Sequence, residues 1–310
     1  MQETKSAFIS IIGRPNVGKS SLLNSILPYK IAAVSDKPQT TRTRIMGVFN
    51  SDNDQLVFID TPGFHKPHNI LGDNMIKAVN SGISDVDAVA LVIDAAPKFK
   101  LSFGEIPAAE TELLKTVISR KLPVMLVINK IDLLENKEDL LPIIANYSEY
   151  CDFSSIVPVS AKTKDGVDLF ISEVMKFSKP SVHFFDDETV TDQPEISLIS
   201  EIIREKTLLL LQKEIPHGIA VMIERFFERD MKNGEPIVEV HGVIYCERES
   251  HKGVVIGKNG SMLKKIGTLA RRDIEEFFGC KVSLKLWVKV KENWRNNPGI
   301  IHNLGLDNKE

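Results

Sequence analysis

The run Gly13-Arg-Pro-Asn-Val-Gly-Lys-Ser20 has the spacing G-x-x-x-x-G-K-[ST]. It follows a short apolar run, Phe8 to Ile12, and precedes a helical pattern, Ser20 to Ile26. A strand, a glycine turn and a helix N-terminus in that order make an anion cradle. The glycines let successive N–H groups turn inward, and the helix end adds partial positive charge. Gly13, Asn16, Val17, Gly18, Lys19, Ser20 and Ser21 are therefore the expected phosphate contacts. Lys19 is placed to reach the β- and γ-phosphates, and the Ser20 hydroxyl to ligate Mg²⁺.

Three further clusters narrow the ligand. Asp60-Thr-Pro-Gly63 ends a second apolar run, Leu56 to Ile59. A carboxylate there holds the Mg²⁺ shell, and the Gly63 N–H can contact a γ-phosphate whose loss releases the following loop. Asn129-Lys-Ile-Asp132 follows the run Val124 to Ile128. Asp132 can accept hydrogen bonds from guanine N1–H and its exocyclic amine, a donor pair adenine lacks. Asn129 can tie this loop to the phosphate loop, and the Lys130 stem can lie over the base. Ser160-Ala-Lys162 closes the set, with the Ala161 N–H directed at guanine O6. The expected ligands are GTP and GDP.

A second chemistry lies near the other end. Gly257-Lys-Asn-Gly260 is a G-x-x-G turn between helical patterns, the form of a clamp for backbone nucleotides. Lys258 and Asn259 sit in the turn, and Lys264 and Lys265 follow on the next helix. Residues 248–291 carry 11 basic and 4 acidic side chains, a local charge of +7 in a chain whose net charge is −3. That excess suits a polyanion.

The elements that must position these groups fall into two parts. Up to residue 177, apolar runs alternate with helical patterns at Ile70–Ser81, Ala108–Ser119 and Lys137–Tyr150. Strands apolar on both faces read as a doubly wound, mostly parallel α/β sheet. Residues 178–194, with two prolines and four acids, read as a linker in which Phe184 and Phe185 need something to pack on. Residues 195–310 read helix-strand-strand-helix-helix-strand, a smaller α+β unit with Asn233-Gly234 in its first hairpin. Its last strand alternates Val282, Leu284, Leu286, Val288 and Val290 with lysines.

The composition, 43% hydrophobic and 26% charged in 310 residues, is that of a soluble globular chain with about two cores. No run of 18 apolar residues and no signal peptide is visible. Three scattered cysteines fit neither a disulfide framework nor a zinc cluster, so a reducing cytoplasm is expected. His65 and His68 read as loop residues rather than metal ligands.

The four nucleotide motifs in this order resemble the translation-factor-like GTPases, and Gln39-Thr-Thr-Arg-Thr-Arg44 resembles the Era-type subgroup. So do Glu201-Ile-Ile-Arg-Glu-Lys206 and Leu286-Trp-Val-Lys-Val-Lys291 with Trp294, so the resemblance covers nearly the whole chain. It implies a P-loop GTPase domain followed by a type-II KH domain. A switch-loop threonine, Thr41 in preference to Thr40, would join Ser20 and Asp60 on Mg²⁺. The catalytic set would be Lys19, Thr41, Asp60 and Gly63. Phe64 stands where related enzymes place a glutamine, so intrinsic hydrolysis should be slow. Asn16 is associated in that superfamily with a potassium ion. The RNA contacts would be Gly257, Lys258, Asn259, Gly260, Lys264, Lys265, Arg271 and Trp294, with Trp294 a better stacking candidate than Trp287. The implied partner is the 3′ region of small-subunit (16S) ribosomal RNA and the 30S subunit under assembly. The protein would be a monomer, cytoplasmic or peripheral on the inner face of the membrane. Two rival readings remain: a constitutive RNA-binding module with structural nucleotide, and a cell-cycle or membrane signalling switch acting on proteins.

Overall fold

The computed structural model describes residues 4–37, 39–64, 67, 69–96, 104–211, 218–230 and 235–307. They form two units. His65, His68 and the turn at Asn233-Gly234 lie outside the described residues.

The first unit comprises Met1–Ile31, Thr41–Pro67 and Met75–Asp192. Its strands are β1 (Lys5–Ile12), β2 (Ile45–Ser51), β3 (Asp54–Asp60), β4 (Ala88–Asp94), β5 (Val124–Asn129), β6 (Ser155–Pro158) and β7 (Lys179–Pro180). The order is β2-β3-β1-β4-β5-β6, with β7 paired to β1. All neighbours along that order are parallel except β2 with β3, and β7 is also antiparallel. The helices are α1 (Lys19–Ile26), α2 (Ile70–Gly82), α3 (Ala108–Ser119), α4 (Leu140–Ser148) and α5 (Val167–Met175). One sheet face packs Val89, Leu91, Ile93, Leu126 and Ile128 against Val79 of α2 and Ile83 in the turn after it, Leu113 and Val117 of α3, and Tyr147 of α4. On the other face the Phe58 and Phe170 rings lie 6.0 Å apart. Each such side chain fully removed from water contributes about 1.5–3 kcal/mol, which is why central strands apolar on both faces hold this sheet. The strand C-termini therefore gather on one edge, where α/β sheets bind ligands.

Residues 178–192 are laid along this unit. Phe184 meets Phe8 edge-on at 5.0 Å, and the Gln55 side chain accepts from the Phe184 and Phe185 amides.

The second unit comprises Gln193–Glu310 together with Ala32–Thr40 and His68–Asn74. Its elements are α6 (Glu195–Leu210), β8 (Ala220–Asp230), β9 (Pro236–Cys246), α7 (Glu249–Ile256), α8 (Ser261–Phe278), β10 (Lys281–Val290) and α9 (Pro298–Asn303). The sheet order is β10-β9-β8, with β10 parallel and β8 antiparallel to β9. Ile266, Ala270 and Ile274 recur every four residues on α8 and are fully buried against Ile199, Ile203, Val240 and Ile244. The polar side of α8 is left to solvent, with Lys264, Lys265 and Arg271 exposed.

Candidate functional site

The loop after β1 folds tightly because its glycines admit no side chain. At Gly18, φ is +99°, and a Cβ would fall 2.1 Å from the Asn129 amide nitrogen. That approach lets Asn129 Nδ2 donate to the Val17 carbonyl at 2.9 Å, joining the loop after β5 to the phosphate loop. Lys19 is 5% exposed and donates to the Gly13 and Arg14 carbonyls at 3.2 and 3.1 Å. Ser21 lies half-buried in the first turn of α1, and Asn16 is exposed with φ of 65°.

Three oxygens converge under the loop. Ser20 Oγ donates to Asp60 Oδ2 at 2.6 Å and lies 2.7 Å from Thr41 Oγ1. Thr40, the alternative threonine, instead bonds the Lys37 carbonyl at 2.7 Å. Asp60 is fully buried, and its Oδ1 has no hydrogen-bond partner. Burial pushes the Asp60 carboxyl up to about 6, against the opposing pull of Lys19 and of hydrogen bonds from Ser20, Thr41 and Thr61. Burial likewise lowers the Lys19 ammonium to about 8, with Asp60 raising it and Arg14 lowering it further. Both groups lack a full counter-charge: an orphaned carboxylate oxygen fits a divalent cation, and a desolvated ammonium fits a phosphate. Ser20, Thr41 and Asp60 are the residues that would hold Mg²⁺.

Gly63 packs on the phosphate loop so closely that a Cβ would sit 2.6 Å from Pro15 Cα. Next to it the Phe64 amide donates to the Gly13 carbonyl at 3.1 Å, and the Phe64 ring packs against the apolar core. The ring has no group with which to orient water. The nearby Arg14 guanidinium donates to Glu110 on α3 at 2.5 Å, and Tyr147 of α4 donates to the other Glu110 oxygen.

The base-side residues also assemble. Asp132 lies exposed in a 3-10 turn, Ile131–Leu133, and accepts from Ser160 Oγ at 2.7 Å. Lys130 donates to the Asn16 carbonyl at 2.7 Å and pairs with Asp94 at 2.6 Å. Lys162 is exposed beside Ala161. The Ala161 amide donates to Asn129 Oδ1 at 3.0 Å, so its expected role at guanine O6 requires that bond to be shared or given up.

Sequence reasoning missed Asp94, Glu110 and Tyr147. Asp94 had a signal, since it ends a parallel strand on the ligand edge. The other two had none.

On the second unit, Gly257 and Gly260 both adopt φ of +75°, and Gly260 caps α8 with nothing within 4 Å of where a Cβ would stand. Lys258 and Asn259 project from the turn, exposed. A groove of about 440 Å³ runs from Gly260 along Leu263, Lys264, Gly267 and Arg271 to Leu286 of β10. It has an apolar floor, a basic rim and a glycine at its mouth, which suits unstacked bases with their phosphates at the turn. Lys265 is exposed but lies outside the groove lining. The expectation for Trp294 is overturned: it is 0% exposed, and its Nε1 donates to the Gly218 carbonyl at 2.9 Å. A fully covered ring cannot stack on a base. Trp287 is the exposed one, at 44%, with His241 edge-on at 5.4 Å.

Comparison with known proteins covers both regions of the chain. Residues 8–130 match the family model of a 50S ribosome-binding GTPase, and residues 214–295 match that of a KH domain. The chain is 47% identical over 305 residues to GTPase Era of Clostridioides difficile (strain 630), covering 98% of this chain and 99% of that one. This chain belongs to the GTPase Era family. A second Era, from Ruminiclostridium cellulolyticum (strain ATCC 35319 / DSM 5812 / JCM 6584 / H10), is 44% identical, covering 97% of each chain. Among solved structures, an Era in complex with MgGDPNP and nucleotides 1506–1542 of 16S ribosomal RNA superposes with a TM-score of 0.91 at 33% identity. The match covers 98% of this chain and 99% of that one. A point variant of Aquifex aeolicus Era bound to GDP·AlF₄⁻ matches at 0.90 and 33%, covering 98% and 100%. The Era family fold, a GTPase domain followed by a KH domain, thus spans the chain, and its activity is GTP hydrolysis.

Proposed function

We propose that this chain is a GTP-hydrolysing switch that grips the 3′ region of 16S ribosomal RNA through its G-x-x-G face and assists assembly of the small subunit. The observation that carries the switch is the convergence of Ser20, Thr41 and Asp60 beneath Lys19. Thr41 lies in the loop after α1, so the γ-phosphate and that loop share one set of ligands. Water attacks the γ-phosphorus, the bond to the β–γ bridging oxygen breaks, and GDP leaves with the electron pair. Lys19 neutralises charge on the β- and γ-phosphates, and Gly63 presents its backbone beside them. A bound Mg²⁺ would stabilise the same developing charge. Asp132 selects guanine.

Phe64 has no polar group for water, and Arg14 is engaged by Glu110, so intrinsic turnover is slow. Asn16, exposed and left-handed in the phosphate loop, is the residue through which a potassium ion would act. Equal kcat in K⁺ and Na⁺ would remove that part of the reading. For the membrane, the reading is of peripheral association only; no helix among the described residues is long and apolar enough to cross a bilayer.

The RNA assignment draws on the groove at Gly260 and on the relative solved with 16S nucleotides. Crosslinking in cells, in GTP-locked and GDP states, tests it. Enrichment of the 16S 3′ end in one state is expected, whereas protein crosslinks without RNA would favour a signalling switch.

A further inference from the structure

The three-stranded sheet of the second unit has two faces, and the chemistry above uses one. Val282, Leu284 and Leu286 of β10 join Val238 and Val240 of β9 in the apolar core. Alternation along the strands puts the residues between them on the opposite face. Register sets these in rows across the sheet: Lys281, Ile237 and Arg229; then Ser283, Glu239 and Phe227; then Lys285, His241 and Arg225. Trp287 follows Lys285 on the same side of β10.

This face is open. Trp287 is 44% exposed and Phe227 42%, and Lys281, Lys285, Arg225 and Arg229 are exposed around them. One carboxylate stands in these rows. Lys285 Nζ and Arg229 Nε each lie 3.2 Å from Glu239, and His241 Nε2 lies 2.9 Å from it. A single acid among four cations gathers the basic heads on the face and leaves it positive. His241, fixed by that bond, meets the Trp287 ring edge-on at 5.4 Å. A braced ring loses little freedom when a flat ligand stacks on it.

Cations alone suit any polyanion, and exposed rings alone suit many apolar partners. Rings set among cations match single-stranded nucleic acid, which offers unstacked bases and phosphates together. The face is also continuous with the G-x-x-G groove. β10 is an edge strand, and its Leu286 lines the groove while the neighbouring Lys285 and Trp287 lie on the other face. RNA leaving the groove reaches the open face by crossing one strand. Phe227 lies two strands and four residues of register beyond Trp287, about 16 Å, a span that a few nucleotides cross.

We propose that the open face of this sheet is a second RNA platform: single-stranded RNA leaving the groove crosses β10, stacks one base on Trp287 and a later one on Phe227, and sets its phosphates against Lys281, Lys285, Arg225 and Arg229. This rests on the groove holding 16S RNA. Stacking reads no base edge, so the platform lengthens the grip without adding sequence choice.

The experiment titrates the full chain with two RNAs from the 16S 3′ region, one of about six nucleotides that fills the groove and one of about twelve that runs on beyond it. The parent should bind the longer RNA at least about tenfold more tightly. Trp287→Ala should remove most of that gain and change the shorter RNA less than about twofold, since one stacked base is worth about tenfold. Trp287→Phe, which keeps a ring, should retain most of it. Lys281→Ala with Lys285→Ala should lower the slope of log K against log salt by about 1.4 for the longer RNA alone. A parent that binds neither RNA fails the 16S reading itself. One that binds the shorter RNA and gains nothing from length fails only the platform. Equal weakening of both RNAs by Trp287→Ala, or no weakening of either, also overturns the proposal.

Discussion

The two sites of this chain hold charge in opposite ways. At the phosphate loop, Lys19 and Asp60 are 5% and 0% exposed, and burial displaces both from their ordinary pKa values. At the G-x-x-G turn, Lys258, Lys264, Lys265 and Arg271 all stand in solvent. A desolvated site is costly to build and discriminating to bind, because each missing partner leaves a buried group unpaired. A solvated basic face is easy to build and reads shape and phosphate, with an affinity set by salt. The first arrangement suits an all-or-none choice between two nucleotides. The second suits a long polyanion that must be held and released.

The largest effect that would sharpen this contrast is at the base. On the proposed reading of Asp132 as the guanine acceptor, Asp132→Asn removes two charge-assisted hydrogen bonds of about 1.5–3 kcal/mol each, so GTP affinity should fall at least about a hundredfold. Xanthosine triphosphate, which offers an oxygen where guanine has an amine, should bind the variant better than GTP. Competition between the two nucleotides measures this, and unchanged GTP preference would place guanine recognition elsewhere.

The two tryptophans give the next test, in stability. Trp294→Ala empties a fully buried site and strands the Gly218 carbonyl, costing about 3–5 kcal/mol, or roughly 10 °C in Tm. Trp287→Ala removes a ring that is already 44% exposed, and should cost about 1 kcal/mol or less. Thermal scans of both variants check this; similar losses would mean that Trp287 is structural.

On the RNA face the expected change is smaller and depends on salt. Lys264→Ala with Lys265→Ala should lower the slope of log K against log salt by about 1.4, if each lysine neutralises one phosphate of a single strand. Affinity should drop about tenfold at moderate salt, with RNA-free GTP turnover unchanged. Titrations of a 16S 3′ fragment at several salt concentrations measure it. A loss independent of salt would point to a shaped, desolvated contact and erase the contrast between the sites.

What could be read from the chain follows the same division. Groups that act through the backbone or at strand ends were legible, because spacing alone places them: Gly13 to Ser20, Asp60, Asn129, Asp132 and the turn at Gly257. The parallel strands were legible from apolar runs. β2 was not, because Ile45-Met-Gly-Val-Phe-Asn-Ser51 shows no clean period and is held by antiparallel pairing to β3. Trp287 carried an overlooked signal: it shares the parity of Lys285 and Lys289, which marks the open face of β10. Trp294 lies past the last strand, where no period applies, and its partner is 76 residues away. Glu110 reads as an ordinary solvent-facing acid of an amphipathic helix. Only the fold brings Arg14 and Tyr147 to it, 96 and 37 residues away.

Glu110 gives the smallest expected effect, and it tests how far the closed character of the nucleotide site extends behind the phosphate loop. Burial raises its carboxyl above the ordinary value of 4.5, with the Tyr147 hydroxyl and the Arg14 guanidinium opposing that shift without cancelling it. An acid whose folded pKa exceeds its unfolded value keeps its proton longer in the native state. Its contribution to stability is complete below the unfolded value and is lost as pH rises through the folded one. Glu110→Gln keeps an acceptor for Tyr147 and does not titrate. Its Tm should therefore fall less steeply than that of the parent as pH rises from the unfolded value toward neutrality, by about 2–4 °C for each kcal/mol of linkage removed. Thermal scans of the nucleotide-free proteins across that window measure the slope. Parallel curves would mean that Glu110 feels solvent as the RNA-face lysines do, and the boundary of the desolvated site would then lie at Lys19 rather than at α3.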